Sequence, residues 1–202
     1  MDDIFIRQKE LPLKIPESAA VLGVGGIGSW VALFLALVGV KKLVIVDPDI
    51  IEIHNLNRTP YKLGQVGKPK VQAIAELIYE RRRDVEVLPI KNVEDDVTIE
   101  FLKDVEVIVD CRDGEKYFTS IELQKKVVAK LGYDGIGMTV TWNPRQKESW
   151  GEEIRYTITP SYLVPPAFLA VLVVDAIVRG WRPEGENITW TWDKGLNEVI
   201  RR

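Results

Sequence analysis

The sequence holds one cysteine, Cys111, and one histidine, His54. That scarcity excludes an internal disulfide and any thiolate-rich zinc centre, because such centres need several Cys or His ligands. No zinc is expected, and a metal, if used, is held by oxygen. Long apolar runs are missing as well: 30–40 and 163–174 are the longest, and Pro165 and Pro166 interrupt the second. Both fall short of the roughly 20 residues that span a bilayer. The opening Met-Asp-Asp leads into no apolar stretch with a small-residue cleavage site, so no membrane partner is expected and the cytoplasm is the expected compartment. Neither sign of charge dominates, since 27 Lys plus Arg meet 30 Asp plus Glu for a net charge of −3. That balance predicts no nucleic-acid partner, and it requires local groups to hold any anionic ligand.

What is present is a globular composition. With 202 residues, 46% hydrophobic and 28% charged, residues 1–202 are expected to fold as one domain with a full core. Residues 19–24 are apolar and end in glycines, as a buried strand entering a tight turn does. A helix is predicted over 27–37, apolar nearly all round, with Gly39 as its stop. Residues 42–46 form a second strand, and strand, helix, strand within about 30 residues is a right-handed βαβ unit with a parallel sheet. The resulting fold class is α/β, a doubly wound, mostly parallel Rossmann-like sheet.

Further along, 48–67 has no helical or strand period and reads as a long functional loop. Pro69 opens a helix reaching about Arg82, and the basic run Arg81, Arg82, Arg83 is read as offsetting that helix's C-terminal dipole. Strands are predicted at 85–90 and 105–111, helices at 98–102 and 115–131. Then 133–136 and 138–142 read as strands, 143–153 as an exposed loop, 167–179 as a helix and 188–192 as an edge strand. Five of the six tryptophans lie between Trp142 and Trp192. This C-terminal part is expected to be a short, strand-rich extension of the sheet.

Gly23, Gly25 and Gly28 make G-x-G-x-x-G between the first strand and the first helix. There glycines allow the tight turn and the approach of a phosphate to a helix N-terminus. Asp47 ends the second strand about 20 residues later, where a carboxylate accepts from ribose hydroxyls. Dinucleotide binding has no need of two further groups in the loop beyond Asp47: Asn55, Leu56, Asn57 and Arg58, then Gly67, Lys68, Pro69 and Lys70. An Arg and a Lys flanking one loop suit a polyphosphate, the first as a fork and the second as a point charge.

On these stretches, with Gly26 in the turn, and on Asp110-Cys111-Arg112-Asp113, the sequence resembles the ThiF, MoeB and E1-type activating enzymes. The resemblance runs from about residue 7 to residue 137, leaving 138–202 as a divergent part. It implies ATP-dependent adenylation of the C-terminal glycine of a small ubiquitin-like or sulfur-carrier protein ending in Gly-Gly, with release of pyrophosphate. By the same resemblance Gly23, Gly25, Gly26 and Gly28 line the ATP site, Asp47 holds the ribose, and Asn55, Arg58 and Lys70 face the phosphates. Asp113 would bind Mg²⁺. Arg7, in a short N-terminal segment, would reach the ATP of a partner subunit, which implies a homodimer.

The chain departs from the family in lacking C-x-x-C pairs and a downstream reactive cysteine, and in carrying Gly114 where many members have Asn. Cys111 is read as structural, and His54 as an exposed bystander. Two alternatives stay open: a catalytically silent subunit or scaffold of this fold that binds a ubiquitin-like partner, and an NAD- or FAD-dependent oxidoreductase using the same glycines and Asp47.

Overall fold

The computed structural model describes residues 4–92, 96–113, 118, 120–134, 137–144, 160–180, 187–191 and 199–201. The first unit is β1 (Ser18–Leu22), α1 (Gly26–Val38) and β2 (Lys42–Val46). It continues with α2 (Lys70–Tyr79), β3 (Glu86–Ile90), α3 (Asp96–Lys103), β4 (Val107–Asp110), α4 (Ile121–Lys126) and β5 (Val127–Tyr133). The chain then adds β6 (Gly137–Trp142), α5 (Val164–Arg179), β7 (Asn187–Thr191) and β8 (Val199–Arg201). The eight strands form one sheet in the order β3-β2-β1-β4-β5-β6-β7-β8. From β3 to β5 every pairing is parallel, and from β5 to β8 every pairing is antiparallel.

The parallel strands alternate their side chains between two cores. Ala19, Val21, Leu43, Ile45, Val107 and Val109 face the layer formed by α1, α2 and α5. Ala20, Leu22, Val44, Val46 and Ile108 face the opposite layer, with Leu102 of α3 and Leu123 of α4. Burial on both faces is why these strands read as continuous apolar runs. The apolar circumference of α1 has the same origin: α1 packs on β1 and β2 and against both of its neighbours in the layer, α5 and α2. Gly39, at φ +123°, ends α1 by donating its N–H to Ala36 and Leu35. The edge strand β3 carries Pro89, a residue that edge strands tolerate because one side needs no ladder donor.

Several expectations are corrected. Among the described residues of the helix predicted over 115–131, α4 alone is helical, and 127–133 is β5; a buried strand and a buried helix share the apolar spacing that suggested it. Residues 115–117 and 119 lie outside the described residues, as do Gly114 and the loop from 145 to 153. Tyr133 closes β5 instead of opening a strand of its own. β7 is flanked by β8, so it is interior and not an edge. Arg82 is 2% exposed and lies past α2, which ends at Tyr79. Its guanidinium donates to the carbonyls of Ala36 (2.6 Å) and Val40 (2.8 Å), so it satisfies the C-terminus of α1, not of its own helix.

Candidate functional site

Strand order reverses at β1: β2 and β3 extend the sheet on one side, and β4 and β5 on the other. Such switch points open a crevice beyond the strand C-termini. Here the crevice is a cavity of about 930 Å³, lined by Gly23, Gly25 and Gly26, by Asp47, Asp49, Asn55, Arg58 and Lys70, and by Asp113 and Tyr133, among others.

The glycine turn has a separate reason at each position. Gly23 has φ +77°, and a Cβ there would lie 2.9 Å from the Cys111 carbonyl oxygen. A Cβ at Gly28 would overlap the Gly23 carbonyl, and one at Gly26 would overlap the Tyr133 hydroxyl. A Cβ at Gly25 would meet no protein atom within 4 Å. The backbone there is open toward the cavity, at the N-terminus of a 13-residue helix whose first N–H groups and dipole favour an anion.

Asp47 is 4% exposed. The Val24 N–H donates to its Oδ2 (2.7 Å) and the Asp49 N–H to its Oδ1 (2.8 Å). Burial pushes its carboxyl up from the ordinary value of 3.8, opposed by the nearby Lys70 and those two N–H groups. Lys70 begins α2, and its Nζ lies 2.7 Å from Asp49 Oδ2 with the side chain only 11% exposed. Tyr61 fastens this corner, its buried hydroxyl donating to the Val24 carbonyl at 2.7 Å. Asn55 is buried, and its Oδ1 accepts from the Glu52 N–H at 3.0 Å. Arg58 Nη1 donates to the His54 carbonyl (2.5 Å) and to Asn57 Oδ1 (3.1 Å), while Trp30 Nε1 holds the Arg58 carbonyl at 2.9 Å. The excursion 48–69 thus brings Asn55, Arg58 and Lys70 to one cavity, as the sequence suggested.

Asp113 is exposed on the cavity wall after β4. Among the described residues no group of three or more His, Cys, Asp or Glu is placed to hold a metal. One carboxylate fits a hard cation that takes its remaining oxygens from phosphates and water. Asp110 is not available for that purpose. Its carboxylate is 5% exposed and engaged by Arg112 (Nε 2.9 Å, Nη2 2.8 Å) and by Lys130 Nζ at 3.3 Å. Burial draws the Arg112 guanidinium down to about 10. Cys111 is partly exposed beside the cavity, and burial of its thiol pushes it well above the ordinary 9.0, an inert state. His54 is 61% exposed, with Nδ1 3.1 Å from Glu52.

Arg7 is far from this cavity. The Phe5 ring lies 4.9 Å from the Arg82 guanidinium carbon, and Gln8 Nε2 donates to Val38 at the C-terminus of α1. The cavity is at the other end of that 13-residue helix, about 20 Å away at 1.5 Å per residue. Arg7 therefore cannot serve the site of its own chain. The sequence reading missed Tyr133, Ser161, Asn92 and Arg112 as lining residues and Lys130 behind them. A lysine within the apolar 127–131 was the one available signal, because a buried Lys needs a partner.

The switch-point sheet, the open glycine turn, the fixed carboxylate after β2 and the two cations opposite define a nucleotide-binding α/β protein. The ThiF family model matches residues 12–147, and the chain belongs to the ThiF family. It is 36% identical over 105 residues to the NEDD8-activating enzyme E1 catalytic subunit of Arabidopsis thaliana, covering 50% of this chain and 23% of that one. It is 34% identical over 132 residues to the tRNA threonylcarbamoyladenosine dehydratase of Bacillus subtilis strain 168, covering 64% of this chain and 51% of that one. The chain thus spans about a quarter to a half of these curated relatives. Among solved structures, E. coli MccB with ATP shares the fold, with a TM-score of 0.71, 20% identity, and coverage of 92% of this chain and 63% of that one.

Proposed function

We propose that the protein adenylates the C-terminal carboxylate of a small ubiquitin-like or sulfur-carrier protein ending in Gly-Gly, using ATP and releasing pyrophosphate. The observation that carries this reading is the convergence of Arg58, Lys70 and Asp113 with the glycine turn and Asp47 on one cavity. A dinucleotide oxidoreductase uses the glycines and Asp47 but has no task for the other three. Asp47 accepts from the ribose, and the N-terminus of α1 faces the α-phosphate. Asn55, Arg58 and Lys70 hold the β- and γ-phosphates and stabilise the charge that develops on the leaving pyrophosphate. Lys70 exchanges its pairing with Asp49 for the phosphates. Asp113 would hold Mg²⁺, which would neutralise phosphate charge when bound. No general base is required, because the attacking carboxylate is already ionised at neutral pH. Cys111 supplies no nucleophile, so within this chain the reaction ends at the acyl adenylate. Arg7 acts on the site of a second copy in a homodimer.

Thermal-shift titration with Mg²⁺ and ATP, in parallel with NAD⁺, tests the reading on the wild type, Arg58→Ala and Lys70→Ala. ATP at about 100 times its Kd raises Tm by about 5–10 °C. Both variants diminish that rise, and Lys70→Ala lowers pyrophosphate exchange about 100-fold. A rise with NAD⁺ alone overturns the reading in favour of an oxidoreductase. No rise with either ligand favours a silent subunit.

A further inference from the structure

The wall of the cavity opposite Asp47 is built from a part of the chain that carries no nucleotide motif. Tyr133 ends β5, and its hydroxyl occupies the space where a Cβ on Gly26 would stand, directly over the first turn of α1. Ser161, just before α5, donates its Oγ–H to that hydroxyl at 2.8 Å. The Ser161 carbonyl in turn accepts from Asn57 Nδ2 at 3.2 Å. Ser161 is therefore held from two sides, by the end of β5 and by the residue next to Arg58. Either hydroxyl can donate in this contact, and with Ser161 as the donor Tyr133 has its proton for a partner in the cavity that both residues line.

The cavity is polar along the sheet. Asp47 lies beyond β2 on one side of β1, and Tyr133 closes β5 on the other. A nucleotide with its ribose on Asp47 and its α-phosphate at the start of α1 leaves the Tyr133 side to the second reactant. We propose that Tyr133 is the hydrogen-bond donor to the carboxyl group of the acyl substrate, and that Ser161 is a positioning residue that aims it. This rests on the adenylation reading. One carboxylate oxygen forms the bond to the α-phosphorus as the bond to pyrophosphate breaks, and the electron pair leaves with pyrophosphate. The other oxygen, which becomes the acyl carbonyl, accepts from Tyr133. A neutral donor suits this task. A cation in its place would stabilise the free carboxylate most and so weaken the nucleophile, whereas a hydroxyl orients it and still serves the uncharged carbonyl of the product.

The probe is 5′-O-(N-glycylsulfamoyl)adenosine, an uncleavable mimic of a glycyl adenylate, compared with AMP by calorimetry on wild type, Tyr133→Phe, Ser161→Ala and Ser161→Thr. Tyr133→Phe keeps the ring and loses one hydrogen bond, so it stays folded with a melting temperature lowered by no more than a few degrees. It is expected to weaken the glycyl mimic about tenfold, and Ser161→Ala about threefold, with AMP affinity unchanged in both; Ser161→Thr restores wild-type binding. Equal losses for AMP and the mimic, or no loss for either, overturn the role of Tyr133 while leaving adenylation standing. If the wild type binds neither compound and ATP produces no thermal shift, the adenylation reading itself fails, and this inference with it.

Discussion

The two flanks of the cavity are made in different ways. On the β2 side, Gly23, Val24, Asp47, Asp49 and Lys70 are fixed largely by backbone groups within one βαβ unit and the loop after it. On the β5 side, the local Asp110–Arg112 pair meets Lys130, and Tyr133 meets Ser161, by side chains that come from separate elements. The first flank depends on places where the backbone must come close to something. The second depends on charge and hydroxyl pairing between strand ends. A sequence motif records the first kind of demand because it restricts residue type at fixed spacing. Pairing between elements leaves no fixed spacing to read.

Substitutions in the glycine turn should sharpen that contrast most. Gly28→Ala forces a Cβ onto the Gly23 carbonyl, a backbone atom that cannot swing away. A stability loss of about 4 kcal/mol in urea unfolding is expected. Gly25→Ala meets no protein atom within 4 Å. Its stability should stay within about 0.5 kcal/mol of wild type while ATP binding is lost. Equal destabilisation by both would break the distinction between a glycine kept for packing and one kept for a ligand.

The β5 flank comes next. Asp110 pairs with both Arg112 and Lys130. Asp110→Asn removes the charge that these two cations share, and a loss of about 3 kcal/mol is expected. Lys130→Met leaves the Asp110–Arg112 pair in place and fills the volume with apolar atoms, so its cost should be under about 1 kcal/mol. Urea unfolding of both variants decides the matter. The reverse order would show that Lys130, not Asp110, organises this flank.

The parallel half of the fold was legible because buried strands and the βαβ unit leave apolar runs bounded by glycine. Asp47, Asn55, Arg58 and Lys70 were legible because the resemblance fixed their order, and the structure brings them to one cavity. What failed did so for identifiable reasons. Residues 127–131 carry an apolar spacing that fits a helix as well as a strand, and pairing with β4 and β6 selects the strand. Arg82 looked like a cap for its own helix because sequence cannot show that the C-terminus of α1 lies closer. Tyr133 and Ser161 are 28 residues apart and meet only after β6 and the start of α5 are in place.

Asp47 joins stability to function and gives the smallest of the expected effects. Its folded pKa lies above 3.8, so the native state holds this proton more tightly than the unfolded chain. As pH rises from 3.8 through the folded value, the native state therefore loses stability, and above that value the loss is constant. Asp47→Asn removes the buried charge but presents an amide NH2 to one of the two backbone N–H groups, so in urea titrations across acidic pH its stability curve should lack the decline and carry a pH-independent cost of about 1 kcal/mol. Binding runs the opposite way. The ionised carboxylate accepts from ribose while Val24 and Asp49 hold it in place, so adenosine affinity in the wild type should fall as pH is lowered into the same window. Adenosine carries no phosphate, and the protonation of its adenine N1 in the same acidic range is common to both proteins and cancels in the ratio of their affinities. Asp47→Asn should bind adenosine about tenfold more weakly than wild type at neutral pH, and that ratio should shrink toward one as pH is lowered through the window. Parallel stability curves for the two proteins would mean that this carboxylate is not held at a cost, and that the nucleotide flank owes its order to the backbone alone.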